Sequence, residues 1–228
     1  PITQEYKKNL QDYINSDTPF FSYYITISGH LDYMKYDNEM VQKHWDSVKD
    51  LPYTDRVKGY IAANMELDKA LESLINQLQT AGKLDNTVFV ISPDHYPYKL
   101  NGEEINEVST IDRNDDLEIA HSDFIIWNSA MTDTIQIDKV GSQTDVLPTV
   151  LNLFGVDYDS RLLVGQDLLS DSEGLVAYSN RSWITDKGRY NSVTEENSAN
   201  GGGVLSQEYV DKINTKVSNE FIISNKIL

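Results

Sequence analysis

Apolar positions alternate between two periods along this chain, and the changes of period mark its elements. ITQEYKKNLQDYI (2–14) places Tyr6, Leu10, Tyr13 and Ile14 at helical spacing. Asp17-Thr18-Pro19 breaks that pattern, and PFFSYYITIS (19–28) follows. Its aromatic and β-branched residues predict a buried strand that ends at Gly29-His30. Residues 31–53 read as a loop with a short helix over Met40–Lys49. The clearest helix is TDRVKGYIAANMELDKALESLINQLQTAG (54–82). Thr54 or Asp55 can cap it, Ile61, Met65, Leu67, Leu71, Leu74, Ile75 and Leu78 supply its apolar stripe, and Gly82 is a natural stop. TVFVIS (87–92) is a near-continuous apolar run, the pattern of a parallel strand buried on both faces. Strand, long helix and strand make a βαβ unit.

Further along, residues 99–120 are polar and read as a surface excursion, and DFIIWN (123–128) as a third strand. SQTDVLPTVLNLFG (142–155) predicts a helix capped by Ser142 and ended by Gly155, with Pro148 forcing a kink or a late start. GLVAYSN (174–180) is a strand, Asp186-Lys187-Gly188 a turn between strands, SANGGG (198–203) a flexible loop, and 206–227 a closing amphipathic helix. The expected fold is α/β: a mostly parallel sheet flanked by helices over residues 1–170, followed by a small antiparallel α+β subdomain over 171–228.

Charge narrows the function. Against 36 acidic residues stand 19 basic ones, a formal net charge of −17. Such a surface repels nucleic acid and anionic head groups, so any anion must be held by a local positive feature, such as a metal ion or an arginine cluster. The chain has no cysteine, hence no disulfide or thiolate chemistry. It shows no apolar run of membrane-spanning length and no signal peptide, and it begins with Pro1. We therefore expect a piece of a longer protein with any anchor upstream.

The chemistry-bearing residues cluster at predicted strand ends. Asp94-His95 directly follows TVFVISP, and ligands of open α/β sheets sit beyond the carboxyl ends of the strands. A carboxylate beside an imidazole suits Mn²⁺ or Zn²⁺ better than Ca²⁺. Taken alone, the dipeptide reads at least as well as a turn cap beside a hydrogen-bonding histidine. Ser28-Gly29-His30 occupies a similar place, where an imidazole can bind phosphate or act as acid or base. His121 lies at the opposite end of its strand and reads as structural, and His44, among Lys43, Asp46 and Lys49, as part of a solvated face. Arg161 and Arg181 read as partners of carboxylates or carbonyls, and Trp127 and Trp183 as core. There is no GxSxG, Walker loop, HExxH or dinucleotide fingerprint, and no nucleophile stands out.

FFSYYITISGH (20–30), MELDKALESLINQLQTAGKLDNT (65–87), VFVISPDHYPY (88–98), SDFIIWN (122–128), TDVLPTVLNLFGVDYDSRLLVGQDLL (144–169) and YSNRSWITDKGRYN (178–191) occur in one order. In that order the chain resembles the C-terminal half of the sulfatase-type catalytic domain of lipoteichoic acid synthases and related phosphoglycerol transferases, within the alkaline phosphatase superfamily. The resemblance implies that Asp94 and His95 ligate a divalent metal, usually Mn²⁺. It implies that His30 contacts a phosphoglycerol head group of the phosphatidylglycerol type. It places the nucleophilic threonine, a glutamate ligand and a phosphate-contacting arginine in an N-terminal half that no stretch of this chain matches. The implied activity is metal-dependent transfer of glycerol phosphate at the extracellular face of the bacterial cytoplasmic membrane. The chain would be part of the active site, the N-terminal half its partner, and an upstream anchor its tie to the membrane. A sulfuric or phosphoric ester hydrolase, and a non-catalytic binding module, are the alternatives.

Overall fold

The computed structural model describes residue 11, residues 13–30 and residues 32–227. These residues fall into two compact units, Pro1–Asp133 and Thr134–Leu228.

The first unit is organised by two helices, α1 (Glu39–Val48) and α2 (Asp55–Thr80). Asn38 caps α1, its side chain accepting from the N–H groups of Met40 and Val41. The stop predicted at Gly82 is present. Gly82 has φ +67°, the Gly82 N–H donates to Gln79 and the Lys83 N–H to Leu78, which satisfies the last carbonyls of the helix. Helix α2 serves three apolar clusters. Leu74 and Leu78 meet Ile14 and Phe89, Val57 meets Tyr33, Leu100 and Ile105, and Ala62 and Ala63 meet Val41 and Val48 of α1. Most of the helix expected over 2–14 lies outside the described residues. Tyr13 and Ile14 are helical, and Ile14 is buried.

Among the described residues the sheets are small and antiparallel, and the mostly parallel sheet expected over 1–170 is not seen. Strand β1 (Phe89–Ile91) pairs antiparallel with β2 (Ile125–Trp127), Phe89 opposite Trp127. Residues 19–27, expected as the first strand of a βαβ unit, carry no ladder. Nor is β1 covered on both faces: Phe89 is buried while Val90 is 38% exposed. The reason lies in the connection. Between β1 and β2 the chain forms the short helix α3 (Gly102–Asn106), closed by an Asn101–Glu104 capping box, and a loop folded around Arg113. That guanidinium donates to Ser109 and to the carbonyls of Glu118 and His121. No helix crosses the sheet here, so the chain returns in the opposite direction.

In the second unit the helix expected over 142–155 starts late, as Pro148 requires. A 3₁₀ turn (Gln143–Asp145) precedes α4 (Val146–Leu153), with a Ser142–Asp145 capping box at its start. The four strands β3 (Leu175–Ala177), β4 (Trp183–Thr185), β5 (Gly188–Asn191) and β6 (Glu196–Ala199) form one antiparallel meander. The Asp186-Lys187 turn joins β4 to β5. Strand β6 occupies part of the stretch predicted as a flexible loop. Helix α5 (Gln207–Ile227) closes the meander. Its Val210, Ile213 and Val217 surround Trp183, which is fully buried and donates its indole N–H to Asn214.

Two substitutions test this account. A Cβ at Gly59 of α2 would lie 1.7 Å from the Tyr33 carbonyl oxygen. Alanine in a helix interior normally gains about 1 kcal/mol over glycine. Gly59→Ala reverses that sign, with an expected net loss of about 1–3 kcal/mol by urea denaturation because helix and backbone must separate. The second concerns His44, which is buried rather than solvated. Its Nε2 meets Glu66 of α2 at 2.5 Å, and Lys43 pairs with the same carboxylate. Burial acts to raise the Glu66 carboxyl, but hydrogen bonds and charge from Lys43 and His44 outweigh it and hold the group below its ordinary value. A carboxyl whose folded pKa is depressed stabilises fully above the ordinary carboxylate range and loses that effect as pH falls through the folded value. Glu66→Gln therefore lowers the urea midpoint at neutral pH, and its gap to wild type closes in acid.

Candidate active site

The residues singled out at the predicted strand ends converge in the first unit. His30 closes a turn, its N–H donating to the Ile27 carbonyl at 2.9 Å. The turn is seated on α2 by glycine. A Cβ at Gly29 would lie 2.9 Å from Asn64 Oδ1, so the backbone, and not a ligand, makes the close approach there. Three residues on, Tyr33 is held against Gly59 and meets Tyr60 edge-on at 5.3 Å between ring centres. Asp94 and His95 follow β1 by way of Ser92-Pro93. The rings of His30 and His95 lie 6.4 Å apart at an interplanar angle of 77°.

His95 has a defined orientation. Its Nδ1 lies 2.7 Å from the Tyr96 carbonyl oxygen. A carbonyl only accepts, so Nδ1 carries the proton and Nε2 the lone pair. That Nε2 stands 3.7 Å from Asp94 Oδ1. Two donors each about 2.1 Å from one ion can be no more than about 4.2 Å apart, so the pair can share a single divalent ion. Histidine ligands commonly donate their second ring N–H to a carbonyl, the arrangement seen at His95. Asp94 is 78% exposed and His95 38% exposed at the side chain, so the site is open. Among the described residues no group of three or more His, Cys, Asp or Glu is placed to hold a metal ion.

Tyr98 was missed in the sequence. Its ring centre is 4.7 Å from that of His95, and its hydroxyl is 3.5 Å from His30 Nε2, at the long end of hydrogen bonding. Its signal was position alone, in the Tyr96-Pro97-Tyr98 turn that follows Asp94-His95. Tyr33, buried in the cluster with Val57, Leu100 and Ile105, lies near Tyr98 and Asp94. Burial, with the nearby Tyr60, Tyr98, Asp32 and Asp94, pushes its phenol up to about 12.

The remaining candidates lie elsewhere. His121 is exposed beside Glu118. Arg161 forms a two-pronged pair with Asp159, and the Arg181 guanidinium stacks 3.5 Å from the Phe221 ring centre. A cavity of about 210 Å³ is lined wholly by second-unit residues, including Asp145, Lys216 and Glu220, none of them a sequence candidate. The Asp145 carboxylate there is already engaged by the N–H groups of Ser142 and Gln166, and its part is to cap the helix.

Comparison with known proteins identifies the family of the chain. A lipoteichoic acid synthase of Staphylococcus saprophyticus is 29% identical over 201 residues, covering 82% of this chain and 29% of that protein. The Staphylococcus aureus lipoteichoic acid synthase is 32% identical over 183 residues, 76% of this chain and 26% of that protein. The chain thus spans less than a third of the length of these relatives. The crystal structure of the lipoteichoic acid synthase LtaP from Listeria monocytogenes superposes with a TM-score of 0.74 at 20% identity, over 99% of this chain and 58% of that one. It establishes a shared α/β fold. The sulfatase family model matches residues 2–156, a span that contains His30, Asp94 and His95, and the chain belongs to the sulfatase family.

Proposed function

We propose that the chain is part of a metal-dependent phosphoglycerol transferase of the lipoteichoic acid synthase type. The reaction would be transfer of glycerol phosphate from a phosphatidylglycerol-type lipid at the extracellular face of the bacterial cytoplasmic membrane. The observation that carries this reading is His95, whose Nδ1 is engaged by a backbone carbonyl while its Nε2 stands beside Asp94. Asp94 and His95 would hold the ion, Mn²⁺ by the resemblance. Bound there, it would supply positive charge to a transferring phosphoryl group and lower the pKa of a nucleophilic hydroxyl. His30 would bind the head group from the other side of the two-histidine pair. The nucleophile, the further ligands and the membrane anchor would come from parts of the longer protein that this chain does not match. No helix among the described residues is long and apolar enough to cross a membrane.

Metal titration tests the ligand assignment. A site with two protein ligands leaves most positions to water, so we expect calorimetry to give Mn²⁺ affinity weaker than micromolar. Asp94→Asn weakens it by at least about tenfold, whereas His30→Ala leaves it within about twofold, because His30 Nε2 faces Tyr98. Submicromolar binding, or loss of metal from His30→Ala with the fold intact, contradicts the assignment. In the longer protein, Asp94→Asn abolishes transfer from phosphatidylglycerol vesicles. Hydrolysis of a sulfate ester by the wild type without any transfer would favour the hydrolase reading.

The partner half is tested separately. Phe21, Tyr23, Ile25 and Ile27, alternate residues of the 19–27 stretch, are each at least 66% exposed. Apolar side chains at strand period, on a backbone without a ladder, fit a strand completed by chain from outside these residues. Light scattering should show self-association of the isolated chain, relieved by co-expression of the preceding segment. A clean monomer would count against a missing half.

A further inference from the structure

One turn touches both histidines of the candidate site. Tyr96-Pro97-Tyr98 is closed by the Tyr98 N–H donating to the Tyr96 carbonyl at 2.8 Å, and the Leu100 N–H then donates to the Pro97 carbonyl at 2.8 Å. Proline fixes the backbone at its centre. From this turn the Tyr96 carbonyl engages His95 Nδ1, and the Tyr98 hydroxyl reaches His30 Nε2. Tyr98 is 46% exposed, so burial does not account for where its ring lies. The contacts with the two imidazoles do.

A neutral imidazole has one N–H and one lone pair, so a partner at one nitrogen decides what the other nitrogen offers. Of the two groups that meet at Nε2, a phenol O–H is a better proton donor than a neutral imidazole N–H. We propose that Tyr98 is a positioning residue: its hydroxyl donates to His30 Nε2 and holds His30 as the Nδ1–H tautomer. Both histidines then carry the proton on Nδ1, with opposite results. His95 turns its N–H into the Tyr96-Tyr98 turn and presents a lone pair beside Asp94. His30 commits its lone pair to the turn and presents an N–H.

That N–H can donate to an oxygen of a phosphate or polyol, and it cannot ligate a metal. The division keeps two imidazoles only 6.4 Å apart from competing for one ion, and it makes His30 selective for an oxygen-bearing anion. The choice of a glycerol phosphate ligand rests on the function proposed above; the tautomer of His30 does not.

The test is a long-range ¹H–¹⁵N correlation spectrum of the labelled, metal-free chain, above the imidazole titration range. His30 is assigned by its absence from His30→Gln. We expect the Nδ1–H pattern at His30 in the wild type. Tyr98→Phe, which keeps the ring over His95 and removes only the hydroxyl, should convert His30 to the Nε2–H form and leave His95 unchanged. Titration with glycerol 1-phosphate should then show binding weakened by about threefold to tenfold in Tyr98→Phe. An Nε2–H pattern at His30 in the wild type overturns the proposal, as does a Tyr98→Phe spectrum identical to it. If Tyr98→Phe does not fold, the wild-type tautomer decides alone. A changed tautomer with unchanged glycerol phosphate binding refutes the head-group role of His30 and leaves the positioning role of Tyr98 standing.

Discussion

The first unit depends on how closely the backbone around Tyr33 lies against α2. Gly59 has no side chain to intervene, and the contact draws Tyr33 into the Val57, Leu100 and Ile105 cluster. With Tyr33 fixed at one end and the Gly29–Asn64 approach at the other, the turn that carries His30 has little freedom to move along the helix. Leu74 and Leu78, further along α2, pack on Phe89, and Phe89 begins the strand that leads to Asp94 and His95. A single helix thus sets the distance between two loops that are far apart in sequence. An apolar helix face can hold such a distance because side chains packed at crystal-like density do not slide without opening voids.

The proposed function requires an anion to be held despite the acidity of the chain. At a formal charge of −17, general attraction for phosphate is absent, and specificity must come from the immediate surroundings. In the first unit Lys43 pairs with Glu66, Lys58 with Asp55, and Arg113 donates to backbone carbonyls. At the candidate site stand two imidazoles, which under the proposed assignment give one N–H and one lone pair. An ion recruited by Asp94 and His95 would reverse the local sign without altering the acidic surface around it.

What was legible in the sequence follows from which forces act locally. Helix α2 was read nearly to its ends, because its stripe and its glycine stop are properties of neighbouring residues. The late start of α4 was legible for the same reason, through Pro148 and the cap at Ser142. The 19–28 stretch was misread as a paired strand although its composition is that of a strand. Pairing depends on a neighbour, and no ladder forms there among the described residues. The parallel sheet failed with it, since direction is set by the connection, and the loop built around Arg113 does not resemble a crossover helix. Strand β6 was missed because Glu196-Asn197-Ser198-Ala199 has almost no apolar pattern, and its register is imposed by β5. His44 was misplaced because its charged sequence neighbours suggested solvent, while its buried partner Glu66 comes from another helix.

The candidate site was legible at the level of which residues the fold brings together, and not of how they would divide the work. Asp94, His95 and His30 stood out because ionisable groups at the ends of apolar runs are conspicuous. The roles proposed for the two histidines rest on atoms a sequence does not flag, a backbone carbonyl at Tyr96 and a hydroxyl at Tyr98. Exchanging those two contacts between the histidines would leave the residue list unchanged and reverse the chemistry, because each imidazole would then present its other nitrogen. Under that proposal two identical side chains 6.4 Å apart become different reagents through one short turn. Its proline-fixed geometry lets the difference persist in a site as open to solvent as this one.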